Sequence, residues 1–153
     1  MTGYRYTLTR EWESDTPGCV LWVMLNPSTA DESNDDATIR KVTKFSKAWG
    51  YGSLEVVNLF AARATDPDEL KRIAHPVGME NDHHIGQALL RASIIVAAWG
   101  ASYPAVLSMR PYRMRKLLLQ SGLPVHHLGL TKAGDPRHPL YVKDAEPLIA
   151  WSP

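Results

Sequence analysis

Val20-Leu21-Trp22-Val23-Met24-Leu25 is apolar at every position and stops abruptly at Asn26-Pro27. A run that is apolar on both faces belongs to a central strand of a covered sheet rather than to a half-exposed strand. Pro27 has no backbone donor and pushes Asn26 into an extended conformation, so the strand ends there. Two further runs share this character, Leu54–Phe60 and Ser93–Gly100. A chain with three such strands cannot be a helical bundle or an exposed meander, because each strand needs cover on both sides.

What lies between the runs supplies the cover. Asp35–Trp49 carries Ile39, Val42, Phe45 and Trp49 at helical spacing, with Gly50 as a stop. Asp66-Pro67-Asp68-Glu69 has the cap acceptor, proline and acids of a short helix N-terminus. Asn81–Arg91 and Arg113–Gln120 read as further helices, and Leu123–Leu128 as a short fourth strand. Tyr4–Arg10 alternates like an edge strand, whereas Val142–Trp151 is ambiguous. The pattern predicts one α/β domain over 1–153, with a mainly parallel central sheet of about four core strands.

The 44% hydrophobic and 22% charged composition is that of an ordinary globular protein. No apolar run approaches the ~20 residues that span a bilayer, and the N-terminus lacks a signal-peptide core. Cys19 is alone, which leaves no disulfide. These features lead to an expectation of a cytoplasmic protein away from membranes. The net charge of +1 divides unevenly: residues 1–82 hold nine Lys/Arg against thirteen Asp/Glu, and residues 83–153 hold eight against three. Arg110, Arg113, Arg115 and Lys116, with Tyr112 among them, form the densest basic stretch. It suits either a phosphate-rich partner such as DNA or a solvated helix face.

In a parallel sheet the strand ends share one rim, where ligands of open α/β sheets bind. Asn26-Pro27-Ser28, Asn58 and Trp99-Gly100 close the three buried strands, and Thr131–Tyr141 follows the fourth with Arg137 and His138. Such a rim offers two carboxamides, an imidazole, a guanidinium and an aromatic floor. Carboxamides present a donor beside an acceptor, as a nucleobase edge does. An imidazole can support a developing oxyanion. Asn26 can equally be a turn asparagine. Asp31, Asp35 and Asp36 could bind Mg²⁺ or could merely form a solvated loop and helix cap. The pairs His83-His84 and His126-His127 point in different directions and are no chelate. With no H-E-x-x-H, Walker A or G-x-G-x-x-G pattern, no metal or other cofactor is expected.

Trp22–Asp31, Asp36–Arg40, Val57–Phe60, Ala98–Gly100 and Pro136–Tyr141 together resemble the domain of unknown function 1643 family of bacteria and phages. The order of strand ends is more remotely similar to the uracil-DNA glycosylase superfamily. That resemblance implies a three-layer fold of the same kind and a glycosylase-like hydrolase acting on a modified or damaged base in DNA. It casts Asn26 as the residue positioning water at the sugar C1′, Asn58 as the base reader and His138 as the support for charge on the leaving base. Pro27, Ser28, Trp99 and Arg137 would complete the substrate site. Two departures stand out: His138-Pro139-Leu140-Tyr141 lacks the serine-containing continuation, and the first loop is long and acidic. The alternative is a nucleotide or nucleic-acid binding module without turnover.

Overall fold

The computed structural model describes residues 3–12 and 14–152. Twelve elements follow in order: β1 (Leu8–Glu11), β2 (Cys19–Met24), α1 (Ala37–Ala48), β3 (Ser53–Asn58), a 3-10 turn (Pro67–Arg72), α2 (Asn81–Arg91), β4 (Ile94–Ala97), a second 3-10 turn (Ala105–Leu107), α3 (Met109–Leu119), β5 (Val125–His127), a third (Pro139–Tyr141) and β6 (Ile149–Ala150). The strands form one sheet in the order β1-β3-β2-β4-β5-β6. β3, β2, β4 and β5 pair in parallel, while β1 and β6 run antiparallel at the two edges. The fold is therefore α/β with a mixed six-stranded sheet. Sequence patterning placed the four inner strands and the first edge but left β6 open, since two residues carry no readable period.

Burial explains why the inner strands are apolar throughout. Leu21, Val23 and Leu25 gather with Val57, Ile95 and Ala97 and with Ile85 of α2 and Met114 and Leu118 of α3. Val20, Trp22 and Met24 gather with Val56, Val96 and Ile39, Val42 and Phe45 of α1. Successive side chains of β2 thus enter two different clusters. Trp22 anchors the second: its indole donates to Ser46 Oγ at 3.0 Å and stacks on Trp49 at 5.5 Å. Ser46 in turn donates to the Val42 carbonyl, so the polar atoms of this buried corner are paired.

Local signals set the helix ends. Asp36 caps α1 by accepting from the Ile39 N–H at 2.9 Å. Asp66 and Glu69 form a reciprocal capping box on the first 3-10 turn. α3 starts at Met109, four residues ahead of the expected Arg113. Pro111 falls within its first turn, where backbone N–H groups have no helical partner to lose, so the proline is tolerated. Among the described residues no helix is long and apolar enough to cross a membrane.

Strand order is what positions the site. β2 connects through α1 to β3 on one side, whereas β4 connects through α3 to β5 on the other. Chains leaving β2 and β4 diverge, and a crevice opens between their carboxyl ends.

Candidate functional site

A cavity of about 680 Å³ occupies that crevice. Its walls include Asn26 and Ser28 after β2, Asn58 at the end of β3, Trp99 and Gly100 after β4, and Arg137 and His138 of the late loop. Seven of the residues expected at the rim thus come together. Pro27 does not line the cavity; it is buried, and its carbonyl accepts from the Ala64 N–H at 3.1 Å.

Asn26 is oriented by its own hydrogen bonds. Its Nδ2 donates to the Ala64 carbonyl at 2.7 Å and to the Pro27 carbonyl at 3.0 Å. Both amide protons are consumed, and Oδ1 has no partner among the described residues. The site therefore sees an acceptor here, rather than the donor–acceptor pair that the residue type alone suggests.

Asn58 is the opposite case. Only 1% exposed, it carries an Nδ2 with no hydrogen-bond partner among the described residues. Its backbone carbonyl is held by Asn81 Nδ2 at 2.9 Å, which fixes the strand end. An unpaired buried donor costs about 1–3 kcal/mol of desolvation. The Trp99 indole N–H is likewise buried and has no partner among the described residues, and its ring lies 5.7 Å from that of Trp151.

His138 caps the last 3-10 turn, its Nδ1 accepting from the Leu140 N–H at 3.2 Å. That bond assigns the neutral ring's hydrogen to Nε2. Burial lowers the imidazole pKa, with Asp36 pulling weakly the other way, so the neutral form prevails at neutral pH. The loop carrying His138 is closed on itself by a Leu130–Pro136 bridge and tied to the segment after β4, where the Gly100 N–H donates to the Pro136 carbonyl at 2.8 Å. Gly100 adopts φ +71°, and a Cβ there would lie 3.3 Å from His138 Cβ. Only glycine accepts both conditions without strain. Tyr103 braces the same loop by donating to Asp135 at 2.8 Å; burial first, then this carboxylate, raises its pKa to about 12.

Sequence reasoning missed Arg5, which lines the cavity together with Asp36, weighed there only as a metal ligand or helix cap, and Tyr141, the end of the late loop. Arg5 comes from the segment read as an edge strand, and only long-range pairing carries it to the rim. The acidic loop is otherwise engaged. Asp31 accepts from the Ser33 and Asn34 N–H groups, Asp35 pairs with Arg10 at 2.8 Å, and Asp36 caps α1. No group of three or more His, Cys, Asp or Glu able to hold a metal occurs among the described residues.

None of Arg110, Arg113, Arg115 and Lys116 lines the cavity. Arg110 donates to the Leu59 carbonyl at 2.8 Å and pairs with Asp82 at 2.7 Å, clasping α3 to the end of β3. Arg115 lies 4.6 Å over the Trp151 ring and donates to the Ser152 carbonyl. Lys116 sits 5.4 Å over Tyr112. Arg113 is exposed. At least two of the four are thus committed to holding the fold.

No curated protein and no solved structure gives a significant match to the chain. A family model does, over residues 5–140, which takes in the first five strands, His138 and the cavity lining apart from Tyr141. The chain belongs to the DUF1643 family, described as proteins of unknown function.

Proposed function

We propose that the cavity takes a nucleobase and that the protein is a glycosylase-like hydrolase acting on a modified or damaged base in DNA, on a layered fold of the uracil-DNA glycosylase kind. The observation that carries this reading is the polarity of the unpaired groups at one rim. Asn58 Nδ2 and the His138 Nε2–H are donors, and Asn26 Oδ1 is an acceptor. A base with exocyclic carbonyls answers the donors, and a water molecule answers Asn26.

In the proposed step the C1′–N bond breaks and its electron pair leaves with the base. Negative charge grows on the base carbonyl oxygens, where Asn58 and His138 donate. Positive charge grows on the sugar, and the Asp36 carboxylate lies in the same cavity. Water held by Asn26 adds its oxygen to C1′ and releases a proton to solvent, while the departing base takes one up. An amide cannot accept that proton, so the chemistry leans on leaving-group stabilisation and favours labile bases. Bringing the base into the cavity costs a few kcal/mol of unstacking, least for a damaged or single-stranded one.

One observation favours a binding module without turnover. His138 Nδ1 is already occupied by the Leu140 N–H, and Asn26 is no base, so neither residue can deprotonate water. A base-excision panel decides between the readings. Single- and double-stranded oligonucleotides carrying uracil, hypoxanthine, oxidised pyrimidines or hypermodified thymines are incubated with protein, and abasic sites are scored. Excision lost in Asn26→Ala and His138→Ala supports the enzyme. Binding without excision, lost in the same variants, supports the module.

A further inference from the structure

Two arginines beside the cavity make no direct ion pair among the described residues, although the charges of Asp31 and Asp36 reach Arg5 and that of Asp31 reaches Arg63. Tyr4 bridges Ala62 in antiparallel fashion, the Arg5 N–H donates to Ala61 at 2.9 Å, and the Arg63 N–H donates to Gly3 at 3.0 Å. This register puts residues 5 and 63 on one face of the ribbon as diagonal neighbours, within reach of long side chains. Arg5 Nη1 donates to the Ala30 carbonyl, its Nε is buried without a partner, and its Nη2 makes no bond among the described residues. Neither Arg5 nor Arg63 has a carboxylate within 4.0 Å among the described residues, whereas the part-buried Arg10 and Arg110 both do. Both arginines line a second cavity of about 360 Å³, and Arg5 lines the main cavity as well.

Asp31 and Glu32 also border the second cavity. Asp31, however, spends its oxygens on its own loop, accepting from the Ser33 and Asn34 backbone and from Asn34 Nδ2. Adjacent guanidinium groups with open donors suit a tetrahedral oxyanion, to which arginine presents paired N–H bonds.

We propose that Arg5 and Arg63 form a phosphate-binding subsite next to the base cavity, so that the ligand is a phosphorylated nucleoside, free or within a strand. Arg5 joins the two compartments, placing a phosphate beside the sugar of a base held by Asn58. Burial first, then the Arg63 charge, lowers the Arg5 pKa to about 10. The group therefore stays cationic at neutral pH and gains from an arriving anion. The inference uses the base-recognition reading only to say where the base sits.

Calorimetric titration with inorganic phosphate tests the subsite directly. Wild type binds phosphate, and Arg63→Gln, which removes no internal bond among the described residues, weakens it by about tenfold or more. Arg5→Lys keeps the charge but loses the fork and weakens phosphate by a smaller factor. Absence of phosphate binding, or equal affinity in Arg63→Gln, overturns the proposal. Thymidine 5′-monophosphate against a short single-stranded oligonucleotide then separates the sources. Tighter binding of the oligonucleotide with steep salt dependence assigns the phosphate to a strand, and tighter binding of the monophosphate assigns it to a free nucleotide. A silent excision panel with Arg63-dependent phosphate binding would sink the glycosylase and leave the subsite standing.

Discussion

Gly100 couples the sheet to His138, and replacing it separates backbone strain from positioning. In Gly100→Ala the backbone must hold an alanine at φ +71°, which costs about 1–2 kcal/mol for a residue with a Cβ. The new methyl also meets His138 Cβ at 3.3 Å. That neighbour gives way only with its backbone, which the Gly100–Pro136 and Tyr141–His138 hydrogen bonds pin at 2.8 and 3.0 Å. Gly134→Ala is the matched control: its φ is +90°, but nothing lies within 4 Å of its Cβ. Both variants should lose about 1–2 kcal/mol in urea denaturation, a fall in Tm of roughly 2–8 °C for a chain of this size. Only Gly100→Ala should move the His138 imidazole resonances and its NMR titration, and with them lower ligand affinity or turnover by about tenfold. If Gly134→Ala disturbs His138 equally, or Gly100→Ala leaves it untouched, Gly100 does not position that ring.

Three other outcomes follow from the same contacts. Asn58→Leu removes an unpaired buried donor at similar volume, so it should raise stability by about 1 kcal/mol while abolishing ligand binding; thermal melts and titration check both halves. Arg91→Ala strips the bidentate partner, at 2.8 and 3.0 Å, from Glu55, which is only 3% exposed. It should cost about 1–3 kcal/mol in denaturant, the half-exposed Arg91 keeping the loss from going higher. His138 and His127 both have pKa values lowered chiefly by burial. The unfolded chain then binds more protons than the native one below the ordinary value of 6.5, so stability is full above it and falls as pH drops towards the folded values. Melts from pH 7.5 to 5 should show this slope, reduced in His138→Asn.

Much of the fold was legible because burial writes directly into sequence. Three both-face apolar runs identified β2, β3 and β4, helical spacing with a glycine stop identified α1 to within two residues, and Asn81–Arg91, read as a helix, is α2. The rim followed from topology: once the strands run parallel, Asn26, Asn58, Trp99 and His138 must share one end. Composition could not show how each side chain is engaged. Asn26 turned out to be acceptor-only because Ala64, far along the chain, takes its amide proton. Asp31 and Asp35, attractive as metal ligands, are occupied by a turn and by Arg10. Arg110 and Arg115, read as a nucleic-acid surface, are tied to Leu59 and Ser152. Arg5 gave no signal, since its arrival at the cavity depends on pairing between residues more than fifty positions apart.

In the proposed function a nucleobase sits in the rim cavity with its carbonyl against Asn58. Side-chain amide NMR of ¹⁵N-labelled protein, titrated with uracil and in parallel with adenine, tests it most directly. The Asn58 Nδ2 protons should shift downfield with uracil and far less with adenine, while those of Asn26, already bonded to Ala64 and Pro27, move little. Asn58 resonances unmoved by either base, or moved equally by both, would contradict it.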